Sequence, residues 1–266
     1  MAMQWGTAGN FAEVYEELMV PGFFGYFAAD LVRRAELNDG DRLLDVACGT
    51  GVVPRAAVAT GVNLGRLAGL DMTPGMLEVA SRVAGDDGTE WIEGDATSMP
   101  FEDGSFDVLT CQQGLQFFPD REAGVREFRR VIAPGGRALV ACWTSLEDQP
   151  AFKTLLEAAG SLAPELVSVG EAPFALGSAD ELSAYFEDAG FTQVDVIRVE
   201  HVSEFDSAAA FERSFSEGSP LAIALAELDS DKAAAIREAA LRALEPLASE
   251  SGFRAPMATH IAVARF

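Results

Sequence analysis

The sequence predicts an α/β fold, a Rossmann-like three-layer sandwich with a mostly parallel, seven-stranded sheet and helical cap segments over its ligand site. Short apolar segments alternate with segments of helical periodicity between Gly40 and Trp143. This alternation is typical of a parallel sheet that helices cover on both faces. In addition, 266 residues with 49% hydrophobic content suffice to bury one large core.

Apolar periodicity and the positions of glycine and proline predict the elements of this alternating region. Thr73 and Pro74 mark an N-cap and a first helical position, and Pro54 is tolerated because it falls in a first turn. The segments "EDG" at 102–104 and "APGG" at 133–136 predict a turn and a break. We predict strands at 42–47, 66–71, 89–94, 105–111 and 137–143, and helices at 52–60, 74–84 and 120–132.

The regions outside the alternating part are predicted to be mainly helical. The N-terminal segment 10–37 has helical spacing and is expected to break at Pro21-Gly22. Beyond Trp143 we predict helices at 151–166, 178–190, 207–217 and 229–249, and strands at 191–200 and 257–266. The chain 1–266 is expected to form a single domain, with a helical lid at 1–39, a ligand-binding core at 40–144 and cap insertions at 145–177 and 203–256.

Charge and cysteine usage exclude several classes of function. The net charge is −23, which repels phosphate backbones and makes nucleic acid a poor partner. Cys48, Cys111 and Cys142 are widely spaced without a CxxC pair, so neither a disulfide framework nor a metal site is expected. The N-terminus lacks a signal-peptide pattern and no apolar run approaches 18 residues, which predicts a cytoplasmic protein without a membrane span.

The segment "LLDVACGTG" at 43–51 ends a predicted buried strand with an acid and a glycine-containing turn. Glycine lets backbone N–H groups approach a ligand without a Cβ in the way, although a plain tight turn has the same composition. A dinucleotide fingerprint needs a glycine where Pro54 stands, which disfavours a nicotinamide cofactor. Asp71, Asp95 and 111–113 follow other predicted strands, and the carboxyl ends of parallel strands share one edge. We therefore expect these segments to form one ligand site.

Four segments together resemble a known family. They are 43–51, "GLDMTPGML" at 69–77, "EGDATSMPFEDGSFDVLTCQQGLQFFPD" at 93–120 and "FRRVIAPGGRALVACW" at 128–143. In this order and spacing they are similar to the motifs of class I S-adenosylmethionine-dependent methyltransferases. The nearest branch is the small-molecule group that includes the ubiquinone and menaquinone C-methyltransferases. The resemblance covers about residues 40–143, and Ala47 stands where many members have glycine.

The resemblance implies S-adenosyl-L-methionine as cofactor, with S-adenosyl-L-homocysteine as product. It assigns the methionine portion to the glycine loop and the end of the fourth strand, with Asp45 orienting the loop and the ammonium group. A tyrosine of the lid, Tyr15 or Tyr26, is expected near the cofactor carboxylate, although an amphipathic helix packing its own ring is the alternative. The residues implied for this portion are Tyr15, Asp45, Ala47, Cys48, Gly49, Gly51, Cys111 and Gln112.

The same resemblance assigns the adenosine portion to residues after the second and third strands. Asp71 would accept hydrogen bonds from both ribose hydroxyls, and the two oxygens of a carboxylate match such a diol. Met72 and Met76 would enclose the adenine, Asp95 would accept from its amino group, and the Ala96 N–H would meet a ring nitrogen. The alternatives are a solvated loop acid for Asp71, ordinary packing for the methionines and a turn former for Asp95.

Gln113 and Gln116 are the polar side chains expected to meet the methyl acceptor and are our candidate catalytic residues. The loop carries Gln116 and Phe117 where many relatives have histidines, which removes an obvious general base. We expect structural roles for His201 and His260. An apolar acceptor cavity is predicted from the phenylalanines of the lid and caps, unless these rings only fill their own core. They are Phe11, Phe23, Phe24, Phe27, Phe152, Phe174, Phe205, Phe211 and Phe215.

The predicted function is methylation of a small, largely apolar metabolite such as a polyketide, quinone or terpenoid, by in-line substitution at the sulfonium methyl group. A cofactor-binding regulator or scaffold without turnover is the alternative, and an NAD(P)-dependent oxidoreductase is disfavoured by the loop pattern. The expected partner is a small-molecule methyl acceptor, with neither nucleic acid nor membrane. If the protein assembles with copies of itself, a homodimer is the oligomeric state that we consider.

Overall fold

The fold is built around one β-sheet. The computed structural model describes residues 10–266 of the chain, and the first nine residues of the predicted lid lie outside the described residues. The strands are β1 (Arg42–Val46), β2 (Arg66–Asp71), β3 (Glu90–Glu93), β4 (Phe106–Gln112), β5 (Ile132–Trp143), β6 (Gln193–Phe205), β7 (Ala248–Ser249) and β8 (Gly252–Arg265). Their spatial order is β3-β2-β1-β4-β5-β8-β6, with the short β7 paired to β8.

Eleven α-helices in the described chain surround this sheet. They are α1 (Phe11–Val14), α2 (Gly25–Ala35), α3 (Val52–Ala59), α4 (Pro74–Ala84), α5 (Arg121–Val131), α6 (Pro150–Leu162), α7 (Val167–Glu171), α8 (Ala179–Asp188), α9 (Ala208–Gly218), α10 (Pro220–Ala226) and α11 (Ser230–Leu244). A π-helix, Tyr15–Phe24, joins α1 to α2 and is called the π segment below. Short 3-10 turns occur at Leu115–Phe117, Leu146–Asp148, Pro164–Leu166, Ala172–Phe174 and Glu245–Leu247.

The strand directions confirm the predicted fold class. The five strands β3, β2, β1, β4 and β5 run parallel to one another, whereas β8 runs antiparallel to both β5 and β6. Successive side chains of a strand point to opposite faces, so Leu43 packs with α2 and α3, and Leu44 packs with α5 and α8. Buried side chains therefore fill the space on both sides of the sheet, which gives three layers.

The N-terminal helix is not broken at Pro21-Gly22, which corrects the expectation from the sequence. The chain stays helical from α1 to α2, and the π segment runs through Pro21. At the end of this segment the Gly25 N–H donates to the Val20 carbonyl, five residues back. The wider π turn explains how a proline without an N–H fits, because an α-helical turn would bring its ring against a carbonyl of the preceding turn.

Other differences concern the ends of elements. "APGG" does not interrupt β5 but bulges from it, because Phe106 pairs with Ile132 and Val108 already pairs with Arg137. The strands β6 and β8 extend beyond their predicted bounds since they pair with each other over their whole length, down to Phe205 with Phe253. The sequence reasoning missed α10. Among the described residues, no helix combines the length and the apolar character needed to cross a bilayer.

Candidate functional site

A cavity of about 300 Å³ lies at the carboxyl ends of β1, β2 and β4. The π segment covers one side of it, and residues of α6, α9 and α10 line its far end. Within residues 10–266 no group of three or more histidine, cysteine or acidic side chains is arranged to hold a metal ion. The cavity is therefore built from loop backbone, a few polar side chains and many apolar ones.

The loop after β1 brings its backbone to the cavity wall at Ala47 and Gly49. Both residues have a φ of +54°, a left-handed conformation that costs an alanine more than a glycine. A Cβ on Gly49 would lie 3.9 Å from the Tyr15 hydroxyl, so the lid tyrosine points at this bare backbone. The left-handed conformation of Ala47 gives a physical reason why glycine is common at this position in the family that the sequence resembles.

Gly51 and Cys48 belong to the same loop but do not line the cavity. The Gly51 N–H donates to the Cys48 carbonyl at 2.9 Å, and a Cβ on Gly51 would lie 2.4 Å from the Trp91 ring. The Cys48 side chain is buried, with its sulfur 3.0 Å from where a Cβ of Gly69 would be. The expectation that both glycines present backbone to the ligand is therefore corrected for Gly51, whose lack of a side chain serves packing against Trp91.

Asp71 connects the two loops that form this end of the cavity. Its Oδ2 accepts the Gly49 N–H at 2.8 Å, and its Oδ1 accepts the Thr73 N–H at 2.9 Å. Burial raises the pKa of Asp71, while these backbone donors act in the opposite direction. Each carboxylate oxygen keeps a further lone pair, so the group can still accept from a ligand in the cavity that it lines. Thr73 is the N-cap of α4, but its side chain makes no capping hydrogen bond.

Asp45 lies behind the loop and does not line the cavity. Its carboxyl group is buried and accepts a hydrogen bond from the Thr110 hydroxyl at 2.7 Å. Burial raises the pKa of Asp45 to about 8, with a further contribution from the charge of Asp71, and the Thr110 hydrogen bond lowers it. The side chain of Asp45 is therefore bonded to β4 and separated from the cavity, and its role in orienting the loop and the ammonium group stays a prediction.

Met72, Met76, Asp95 and Ala96 all line the end of the cavity beyond Asp71. Met72 is 59% exposed, whereas Met76 is buried and also packs against the lid helix α1. Asp95 uses Oδ1 to accept from both the backbone and the hydroxyl of Thr97, each at 2.7 Å. Asp95 is thus a turn former and a cavity residue at once, and its Oδ2 accepts no hydrogen bond within the described chain.

The end of β4 places Gln112 and Gln113 on the cavity wall but turns the Cys111 side chain into the core. Gln112 Nε2 donates to the Phe24 carbonyl at 3.0 Å, which joins the sheet edge to the lid. Gln113 has a φ of +56°, and its Nε2 donates to the Thr259 hydroxyl at 3.0 Å. The amide of Gln113 is therefore engaged by β8.

Gln116 does not line the cavity. It is buried, and its Nε2 donates to Gln113 Oε1 at 3.3 Å. The 3-10 turn Leu115–Phe117 rotates this side chain away and presents Phe117 to the cavity instead. This placement corrects the expectation that both glutamines face a methyl acceptor.

The two candidate tyrosines of the lid are placed differently. Tyr15 lines the cavity and stacks on Phe24 with ring centroids 5.3 Å apart. Burial and the nearby acidic groups, Asp71 first, raise the pKa of its hydroxyl. Tyr26 is 45% exposed and stacks on His201 at 3.6 Å, away from the cavity. Neither His201 nor His260 lines the cavity.

The far end of the cavity is aromatic, and the predicted phenylalanines divide into two groups. Those that line it are Phe23, Phe24, Phe152, Phe174 and Phe215. Those that only pack in the surrounding core are Phe11, Phe27, Phe205 and Phe211. Some of these phenylalanines therefore line a cavity, as one interpretation of the sequence expected, and the others fill the core, as the alternative expected.

Sequence reasoning missed several residues of this end, among them Trp143, Met19 and Gly218. Trp143 is the last residue of β5, and a large side chain at the carboxyl end of a parallel strand is a signal that was available. Met19 and Gly218 come from the π segment and from α9, which meet only in the folded chain. No local sequence pattern predicts that Met19 and Gly218 line the same cavity.

Comparison with known proteins is consistent with this geometry. A methyltransferase-domain family model matches residues 44–140. The chain is 34% identical over 169 residues to a demethylmenaquinone methyltransferase of Clavibacter sepedonicus, covering 59% of this chain and 67% of that protein. It is also 34% identical over 174 residues to a demethylmenaquinone methyltransferase of Staphylococcus aureus strain JH9, covering 60% of this chain and 71% of that protein.

Solved structures of similar fold include two with low sequence identity. The YcgJ protein of Bacillus subtilis superimposes with a TM-score of 0.59 at 20% identity, covering 90% of this chain and 98% of that one. A phosphoethanolamine N-methyltransferase of Haemonchus contortus, in complex with phosphomonomethylethanolamine and S-adenosylhomocysteine, superimposes with a TM-score of 0.61 at 19% identity. That match covers 96% of this chain and 56% of the other. These likenesses concern the fold.

Proposed function

The chain belongs to the class I S-adenosylmethionine-dependent methyltransferases, and from this premise we propose that it methylates a small, largely apolar metabolite in the cavity described above. The observation that supports the proposal is the division of the cavity into two ends. One end has the carboxylates Asp71 and Asp95 beside bare loop backbone, and the other end is aromatic. Membership of the family disfavours the nicotinamide oxidoreductase and the scaffold without turnover.

We propose that S-adenosylmethionine occupies the end built from the loops after β1, β2 and β3. Gly49 and Ala47 would accept its methionine portion beneath Tyr15, and Asp71 would accept the ribose hydroxyls through its remaining lone pairs. Met72, Met76, Asp95 and Ala96 would enclose the adenine. The residues fit this group because Gly49 leaves free space where a side chain would stand, and because Asp95 Oδ2 has no partner among the described residues.

When bound, S-adenosylmethionine supplies an electrophilic methyl group whose sulfur keeps the bonding electrons and becomes that of S-adenosyl-L-homocysteine. The residues of the chain would align an acceptor behind this methyl group and exclude water. Gln112 and Trp143 line the cavity where β4 and β5 end, and both contact Phe24 of the π segment. Alignment of this kind contributes several kcal/mol by removing translational and rotational freedom, of the order of 7–11 kcal/mol at best.

The acceptor end offers no general base among the residues that the structure describes. Its polar side chains are amides and the Ser219 hydroxyl, and that hydroxyl accepts a hydrogen bond from the Leu221 N–H as the N-cap of α10. The Tyr15 hydroxyl keeps its proton because its pKa is raised. The acceptor is therefore expected to bring an already nucleophilic atom, or an acidic O–H or C–H group. We further propose that the described part of the predicted lid, 10–39, covers the cofactor, that 40–144 is the cofactor-binding core, and that 145–177 and 203–256 are the acceptor caps of one domain.

The cofactor assignment is tested by calorimetric titration with S-adenosyl-L-homocysteine. Asp71→Asn removes the charge and places an NH2 donor against one of the two backbone N–H groups. We expect it to weaken binding by about 10- to 100-fold, the effect of about 1.5–3 kcal/mol for hydrogen bonds to a charged group.

Asp120→Asn is the matched control for this titration. It removes an acidic charge from another loop residue that accepts a backbone N–H, outside the cavity, and should bind the cofactor product like the wild type. Equal affinities of Asp71→Asn and wild type would refute the ribose assignment. Transfer of labelled methyl groups to a panel of uncharged and charged ring compounds tests the acceptor class, and product formed only with charged acceptors would contradict it.

A further inference from the structure

The π segment and α9 meet at a contact between Met19 and Gly218. A Cβ placed on Gly218 would lie 2.6 Å from Met19 Cγ and 3.3 Å from Met19 Sδ. Carbon atoms that are not bonded do not approach to 2.6 Å, so the absence of a side chain at Gly218 allows Met19 its position. Both residues line the acceptor end of the cavity.

The surroundings of this contact restrict the movement of the Met19 side chain. Gly218 is the last residue of α9, and Phe215, one turn earlier, lines the same cavity. Met19 is only 6% exposed and packs within the large core cluster of the lid and caps. A methionine side chain is flexible, so a Cβ at position 218 would displace it and leave the backbone of α9 in place. The open space beside Met19 is the cavity.

The charges around the cavity limit what this end can hold. The charged residues that line it within 10–266 are Asp71 and Asp95, and both belong to the other end. An anionic group among Phe23, Phe152 and Phe215 would lose its hydration without gaining a partner. A planar ring can pack against those aromatic side chains instead.

We propose that Met19 and Gly218 together set the size limit of the acceptor end, and that this end selects planar ring molecules without an anionic group. The inference deepens the proposed function and rests on its assignment of the two ends. Gly218 acts here as a specificity-determining position, because it fixes how closely the lid and the cap approach over the acceptor.

The test is a fluorescence titration of the full-length protein with three dyes, in the absence and presence of saturating S-adenosyl-L-homocysteine. N-phenyl-1-naphthylamine is a small neutral probe, Nile red is a larger neutral one, and 8-anilinonaphthalene-1-sulfonate adds an anionic group to the first skeleton. We expect both neutral dyes to bind with and without the cofactor product, and the sulfonate to bind at least about tenfold more weakly than its neutral counterpart.

The size limit is tested with substitutions at the contact. Gly218→Ala should weaken Nile red binding by about tenfold, the discrimination that one methyl-sized change gives in an apolar pocket, and should affect the smaller neutral dye less. Adding Met19→Ala to that variant should restore Nile red binding. Gly160→Ala is the matched control, because it places a Cβ 2.6 Å from the Val167 side chain in the same cap, outside the cavity, and should leave all three affinities unchanged.

Several outcomes would overturn the inference. They are equal binding of the sulfonate and its neutral counterpart, displacement of the neutral dyes by S-adenosyl-L-homocysteine, or an unchanged Nile red affinity in Gly218→Ala. If Gly218→Ala does not fold, Met19→Ala alone decides, since it widens the same end and should tighten Nile red binding. Failure of S-adenosyl-L-homocysteine itself to bind would instead contradict the proposed function, and the dye titrations without it would still test the size limit.

Discussion

Asp45 shows how one buried side chain ties the stability of the site to pH. Its carboxyl group is enclosed by the sheet and bonded to the Thr110 hydroxyl, and burial raises its pKa from 3.8 to about 8. The folded chain therefore holds a proton on Asp45 in a range where the unfolded chain has released it. The stability that this proton contributes is complete below pH 3.8 and is lost as the pH rises to about 8.

The Asp45→Asn variant tests this linkage. Asparagine can still accept the Thr110 hydrogen bond but has no proton to lose. We expect the free energy of unfolding of the variant, relative to wild type, to increase by at least about 1.4 kcal/mol, the equivalent of one pKa unit, between about pH 5 and about pH 8. Denaturant unfolding at the two pH values measures this difference, and a difference that stays constant would contradict the raised pKa.

Among the elements, the π segment has the most unusual geometry and the most direct relation to the cavity. It contains Tyr15, which lies near the glycine loop, and Met19, which lines the aromatic end of the cavity. Two ion pairs hold this part of the chain to the core. The Arg55 guanidinium lies 2.7 Å from the Glu16 carboxylate and also donates to the Thr50 carbonyl, whereas Arg82 and Glu13 form a longer, exposed pair at 3.5 Å.

Arg55→Gln is expected to loosen the π segment. The substitution leaves the Glu16 carboxylate half-buried without its cation, which costs about 1–2 kcal/mol and should raise amide hydrogen exchange in residues 15–24 by about tenfold. Arg82→Gln removes the exposed pair of the same lid and should change exchange there by much less. Similar exchange rates in the two variants would show that the Arg55 pair does not hold the lid.

For the whole molecule, the dominant electrostatic property is the net charge of −23. Excess acidic groups repel one another across the folded surface, and most of the ion pairs that oppose this repulsion have at least one exposed partner and are therefore weak. Added salt screens both effects, but the uncompensated repulsion acts over a longer range.

We therefore expect sodium chloride to stabilise the protein. Raising its concentration from about 0.01 M to about 1 M shortens the screening length from about 30 Å to about 3 Å, which removes most of the repulsion between exposed carboxylates. The melting temperature should rise over this range in a thermal unfolding experiment. A melting temperature that falls would mean that the ion pairs contribute more than the repulsion costs.

Local sequence patterns were sufficient to predict those features that depend on residues close together in the chain. The alternation of apolar and helical segments predicted the sheet and its helices, because strand and helix periods are set within a few residues. It also placed Asp71, Asp95 and 111–113 at one edge of the sheet, and the structure brings all of these except Cys111 around one cavity. The prediction of a break at Pro21-Gly22 was wrong because the helix continues through Pro21 as a π-helix, which no local sequence pattern predicted.

The sequence by itself therefore determined the fold class, the methyltransferase family and the loops that line one end of the cavity. Only the tertiary structure decided which side chains of those loops face it: Gly49 does, whereas Gly51 packs on Trp91 and Gln116 turns away. The aromatic end of the cavity was decided in the same way, because Met19 and Gly218 meet through the packing of distant elements. Contacts of this kind depend on shape complementarity between segments far apart in the chain, and residue type or spacing does not encode them locally.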